Sequence, residues 1–126
     1  MILVAEDDEQ MRFLVLKQLN KLGYEAQAVT NGLEAVESVT TASYKLILMD
    51  VSMPGLDGLE ATKRIRKIEQ AQNKAPTPIV ALSGAAERAT CLEAGMDDFV
   101  AKPVLTGNLH TIVMRWMKAG NAQGND

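Results

Sequence analysis

Cysteine is almost absent: Cys91 is the single one in 126 residues, so no internal disulfide can form. That fits a reducing compartment. Long apolar runs are absent too, and no stretch approaches the ~20 residues that a membrane-spanning helix needs. The opening Met1-Ile2-Leu3-Val4-Ala5 is too short for a signal-peptide core and lacks its basic flank. A basic excess is missing: the formal charge of -3 gives no pull toward nucleic-acid phosphates. Several catalytic signatures are missing as well. There is no GxxxxGK[ST] phosphate loop, no GxGxxG after the first apolar run, and no Cys/His cluster for zinc. A DxDxT phosphatase nucleophile would need a second acid at position 52, where Ser52 stands. The expectation is a cytoplasmic chain that meets neither membrane nor nucleic acid by itself.

What remains is ordinary globular material, 47% hydrophobic and 23% charged, at the size of one domain. Short apolar runs alternate with longer amphipathic segments. Ile2 to Ala5, Leu46 to Met49 and Ile79 to Leu82 read as buried strands. Glu25 to Val29 and Phe99 to Ala101 read as shorter ones. Between them, Met11, Leu14, Val15, Leu19 and Leu22 stand at helical spacing before Gly23. Leu33, Val36 and Val39 share a face of a helix over Gly32 to Thr40. The segment from Gly58 to about Ala71 turns Ala61, Ile65 and Ile68 inward and Lys63, Arg64, Arg66 and Lys67 mostly outward, with Glu60 and Arg64 spaced to pair. Arg88 to Ala94 is a short helix stopped by Gly95. Leu109, Ile112, Val113, Trp116 and Met117 form a last helical face, read as core or partner surface. Strand and helix thus alternate throughout, which predicts a parallel sheet with helices on both faces and ligands beyond the carboxyl ends of the strands.

Those strand ends carry chemistry. Glu6, Asp7 and Asp8 follow the first run, Asp50 the third, Ser83 the fourth, and Lys102 and Pro103 the fifth. Clustered carboxylates repel, and a hard divalent cation such as Mg²⁺ removes that penalty through oxygen ligands. A lysine and a hydroxyl opposite the acids suit a phosphoryl group carried beside the metal. Asp50 is then a nucleophile that forms an aspartyl phosphate. Simpler roles compete: Asp8 and Asp57 read as helix N-caps, Glu6 and Asp7 as loop acids, Ser83 as a turn residue, Lys102 as a solvated cation. His110 reads as ordinary surface and Cys91 as a small buried apolar residue.

Taken in order, the motifs resemble the receiver domain of two-component response regulators. The resemblance runs from Ile2 to Met117. It rests on Ile2-Leu3-Val4-Ala5-Glu6-Asp7, on Asp50 with Met53-Pro54-Gly55-Leu56-Asp57-Gly58, on Leu82-Ser83, and on Glu93 to Pro103. It implies a flavodoxin-like doubly wound (βα)5 α/β fold with strand order 2-1-3-4-5. The domain is placed at residues 1–119, with 120–126 as a flexible polar tail. By resemblance Asp50 accepts phosphate from a phosphohistidine. Asp7 and Asp50 bind Mg²⁺ directly, Glu6 through water, and Ser52 through its backbone carbonyl. Lys102 and Ser83 hold the phosphoryl oxygens, Phe99 is the aromatic switch, Pro103 follows a cis peptide bond, and Asp57 and Gly58 are structural. Ser52 and Ala85 stand where the family tunes hydrolysis.

Two departures stand out. Phe99 lacks the hydroxyl of the usual tyrosine, and the stretch from Ser83 to Gly95 is short for the family, which shortens the fourth helix. The implied partner is a histidine kinase or a histidine phosphotransfer protein, and the reading admits a homodimer. The chain serves equally as a stand-alone regulator or as the receiver of a hybrid histidine kinase, since the first strand starts directly after Met1. Two rivals stay open. One is an interaction module switching without phosphate, motivated by the short fourth helix. The other is a Mg²⁺-dependent phosphohydrolase, weakened by the lack of a substrate-covering insertion.

Overall fold

A computed structural model describes residues 1–84 and 87–125, without the side chains of Thr106 and residues 118–125. Its elements alternate: β1 (Ile2–Ala5), α1 (Glu9–Lys21), β2 (Ala26–Val29), α2 (Gly32–Thr41), β3 (Leu46–Asp50), α3 (Gly58–Ala71), β4 (Ile79–Ser83), α4 (Arg88–Ala94), β5 (Asp98–Ala101) and α5 (Thr106–Asn125). The strands form one five-stranded parallel sheet in the order β2-β1-β3-β4-β5. This is the architecture that the alternation and the resemblance lead one to expect.

The three apolar runs are the three central strands, buried on both sides along their whole length. Their residues alternate between two cores, as a period of two requires. Leu3, Ile47, Met49, Ile79 and Ala81 face the core shared with α2, α3 and α4. Ile2, Val4, Leu46, Leu48, Val80 and Leu82 face the core shared with α1 and α5. The edge strands β2 and β5 are only partly covered, which explains their mixed composition.

The helix boundaries follow from local chemistry. Asp8 caps α1 by accepting from the backbone N–H groups of Gln10 and Met11. Asn31 caps α2 through Glu34, and Asp57 caps α3 through Glu60. Gly95, at φ +107°, ends α4 in the left-handed region that glycine enters freely. The last helix continues through the expected tail as far as Asn125.

Four details differ from the sequence reading. Leu14 and Leu33 are exposed rather than inward, and α2 buries Ala35 beside Val36. Glu60 pairs with Lys63 at 3.5 Å, not with Arg64. Arg66 is not a solvated cation. It donates to the carbonyls of Gly95 (3.0 Å) and Thr77 (2.8 Å) and to the carboxylates of Glu69 (2.8 Å) and Asp97 (2.9 Å). Those carboxylates in turn accept from the backbone N–H groups of Thr77 and Ile79. The network ties α3 to the amino-terminal ends of β4 and β5, opposite the acidic edge.

Candidate functional site

Register brings the acids together. β1 and β3 pair with Ala5 beside Met49, so the next residue of each chain segment, Glu6 and Asp50, stands at the same edge of the sheet. Carboxylate oxygens of Glu6, Asp7 and Asp50 all lie within 4.8 Å of one another. Glu6 and Asp50 are buried while Asp7 is exposed, so the cluster opens to solvent on one side. Lys102 leaves β5 and reaches across β4 to place Nζ 2.8 Å from Asp50 Oδ1. The same ammonium lies 3.6 Å from Glu6 Oε1, an ion pair too long for a hydrogen bond.

Local backbone geometry holds the acids in place. The Asp8 N–H donates to Glu6 Oε2, and Arg12 donates to the carbonyls of Glu6 and Asp7. Ser52 donates its N–H to Asp50 Oδ1 at 3.2 Å. Gly58 lets α3 begin directly against β3, because a Cβ there would meet the backbone carbonyl of Asp50. Gly32 does the same for α2, whose start abuts the carbonyl of Leu56. Both contacts confine the loop that follows Asp50. The Lys102–Pro103 peptide is cis, in agreement with the resemblance.

The electrostatics show what the cluster lacks. Burial, then a hydrogen bond and the charge of Asp50, push the Glu6 carboxyl up to about 8. The Lys102 ammonium is also held above its ordinary value. Burial acts against this, but its hydrogen bond to Asp50 and the charges of Asp50 and Glu6 outweigh it. Among the described residues, Lys102 is the cation that ion-pairs with these carboxylates, through Glu6 and Asp50. Glu6 Oε1 is fully buried and accepts no hydrogen bond. A buried carboxylate oxygen without a hydrogen bond, beside two further carboxylates, is the donor set of a hard divalent cation, so these residues fit Mg²⁺.

The remaining residues close the rim. Ser83 is buried at the end of β4, and its carbonyl accepts from Lys102 N at 2.9 Å. Its hydroxyl donates to the Gly84 carbonyl at 3.3 Å and lies 3.9 Å from the buried Cys91 Sγ. Phe99 is half-buried on β5, with the Arg88 guanidinium 5.2 Å from its ring centroid. Asp57 is an N-cap, as read from sequence. Ser52 is exposed beside Asp50, and Ala85 lies outside the described residues. Sequence reasoning missed Arg12, whose signal was only its position one helical turn into α1, and the contact partners Arg88 and Cys91.

Comparison with known proteins agrees with this geometry. The family model described as response regulator receiver domain matches residues 2–114. The sensor protein GacS of Pseudomonas syringae pv. syringae is 39% identical over 118 residues, which cover 91% of this chain and 13% of that protein. This chain therefore spans a small part of that relative. The receiver domain of the sensor histidine kinase PA1611 from Pseudomonas aeruginosa PAO1 is 38% identical with a TM-score of 0.83, covering 93% of this chain and 96% of that one. That structure has a magnesium ion coordinated in its active site cleft. A chain in the co-crystal structure of the Saccharomyces cerevisiae histidine phosphotransfer protein Ypd1 with the receiver domain of Ssk1 is 30% identical with a TM-score of 0.87, covering 91% and 86%. The acidic edge, the sheet order and these matches together identify the chain as a member of the response regulator receiver domain family, a receiver of two-component and phosphorelay signalling.

Proposed function

We propose that Asp50 is the phosphoacceptor and that the chain takes its phosphoryl group from a phosphohistidine of a histidine kinase or histidine phosphotransfer protein. The observation that carries this is the Lys102 ammonium 2.8 Å from a buried Asp50 carboxylate, at the edge where Glu6 and Asp7 also converge. An Asp50 carboxylate oxygen attacks phosphorus. The P–N bond to the donor imidazole breaks, and its electron pair stays on the ring nitrogen. Lys102 pairs with a phosphoryl oxygen, and Ser83 donates its hydroxyl to another. Asp7 and Asp50 would hold Mg²⁺ directly, Glu6 through water, and the Ser52 carbonyl would complete the protein's share. When bound, the ion would neutralise charge gathered around the phosphoryl group.

Phosphorylation draws Ser83 inward and Phe99 follows, biasing the face of α4 and β5 toward its signalling state. The chain later hydrolyses its own acyl phosphate. It acts as a signalling receiver in the cytoplasm, alone or within a hybrid histidine kinase, with residues 1–119 as the receiver and a homodimer among its assemblies.

Intact-mass spectrometry after acetyl phosphate and Mg²⁺ tests the chemistry. One added phosphoryl group is expected, absent in Asp50→Asn and absent with a chelator. If neither acetyl phosphate nor beryllofluoride reacts at Asp50 and Mg²⁺ fails to bind, the reading is wrong and a phosphate-independent interaction module replaces it.

A further inference from the structure

The short helix α4 touches both groups that the proposed switch must move. Cys91, on its inner face, is 1% exposed and places Sγ 3.9 Å from the Ser83 hydroxyl. Arg88, in its first turn, lays its guanidinium over the Phe99 ring at 5.2 Å. The helix is also tied at its far end, where Arg66 donates to the carbonyl of its cap residue Gly95. It is seven residues long, its start lacks a side-chain cap, and it packs through Cys91 and Ala94. A helix this short is held by tertiary contacts rather than by its own propensity. Burial raises the Cys91 thiol above its usual range, so the sulfur stays protonated and neutral beside the hydroxyl. Arg88 makes no ion pair among the described residues, and the Phe99 ring faces its planar cation.

We propose that Cys91 and Arg88 are positioning residues which hold Ser83 and Phe99 in their resting places, so that occupation of Asp50 must break both contacts of α4. This rests on the reading of Ser83 and Phe99 as the moving groups. When Ser83 turns toward a phosphoryl oxygen, its hydroxyl leaves Cys91. When Phe99 turns inward, its ring leaves Arg88. Both events free the same helix, which makes α4 the element that reports the loaded state. The shortened segment is thereby a two-point latch, with one contact for each moving residue.

A ligand that favours the released state binds more tightly when the resting state is weakened. The test titrates the full chain with beryllofluoride in saturating Mg²⁺, followed by fluorine NMR of the bound ion. Cys91→Ala and Arg88→Ala should each tighten binding about two- to fivefold, the range of one weak contact. Arg88→Lys keeps a cation and should return to the wild-type affinity, whereas Cys91→Ser, whose oxygen on a shorter bond falls beyond hydrogen-bond reach of Ser83, should behave as Cys91→Ala does. A structural role alone would not produce that rescue. Arg88 is exposed, so its pair of variants carries the test even if Cys91→Ala folds poorly. Wild-type binding with unchanged affinities in the alanine variants, or with lysine at position 88 behaving as alanine does, overturns the latch. Failure of the wild type itself to bind overturns the reading beneath it, and the two results are distinct.

Discussion

Glu6 is an acid whose carboxyl is raised by its burial first and then by the neighbouring Asp50, with Lys102 offsetting only part of this. Its carboxyl sits at about 8 in the metal-free fold against 4.5 when unfolded, so the folded state holds a proton that the unfolded state releases. The associated stability is fully present below pH 4.5 and is lost as pH rises toward about 8. Urea denaturation in a chelator should therefore show stability falling across that window, with a shallower fall in Glu6→Gln. An identical slope in the two proteins would show that Glu6 is not the group responsible. Arg66 shows the opposite case at the same scale. Read from the helical pattern it is one of four outward cations, yet it satisfies two acids and two carbonyls. Spacing shows which face a residue shares. It does not show whether a long side chain bends back toward an acid far away in sequence, as Asp97 is.

Elements divide the work between the two ends of the sheet. The carboxyl ends of β1, β3, β4 and β5 carry the candidate site, whereas the amino-terminal ends of β4 and β5 are tied to α3 through Arg66, Glu69 and Asp97. Arg66→Ala would leave the nearly buried Glu69 carboxylate without its cation. It should cost about 2–4 kcal/mol in chemical denaturation. Labelling of Asp50 by acetyl phosphate at a temperature where the variant stays folded should remain within about threefold of wild type, because additivity holds for distant, independent sites. A severe loss of labelling would join the two ends into one unit. Element type was legible for most of the chain, since the three central strands are continuous apolar runs and three helices have caps at Asp8, Asn31 and Asp57; the exception is the expected polar tail, into which α5 continues as far as Asn125. Besides the charged partners of Glu60 and Arg66, the errors lie at the borders of the apolar stripes. Leu14 and Leu33 have helical spacing with the core residues but fall just beyond what the neighbouring layer covers.

Across the whole molecule, a cation bound only by the folded state adds stability by mass action. At one hundred times its Kd, Mg²⁺ should add about 2.7 kcal/mol and raise the midpoint of thermal unfolding by about 10 °C. Differential scanning calorimetry with and without chelator measures this. A midpoint that ignores Mg²⁺ in the wild type, at concentrations where the ion is in large excess, would remove the metal from the site. In Asp50→Asn the gain should shrink, because a carboxylate ligand becomes a neutral amide. On the proposed function, the same clustered acids would link stability to signalling, since a cation bound among them would sit beside Lys102 where the phosphoryl group is expected.

The residues by themselves determined the alternation of strand and helix, the burial of the central strands, and the presence of acid, hydroxyl and ammonium at their ends. Each of these depends on local composition or on short spacing. Tertiary structure decided the rest, because distance across the sheet is set by strand order and register. Asp50 meets Glu6 because β3 lies beside β1, and meets Lys102 although 52 positions separate them. It also decided that Cys91 would lie against Ser83 and Arg88 against Phe99, contacts that depend on where a short helix docks rather than on any pattern along the chain.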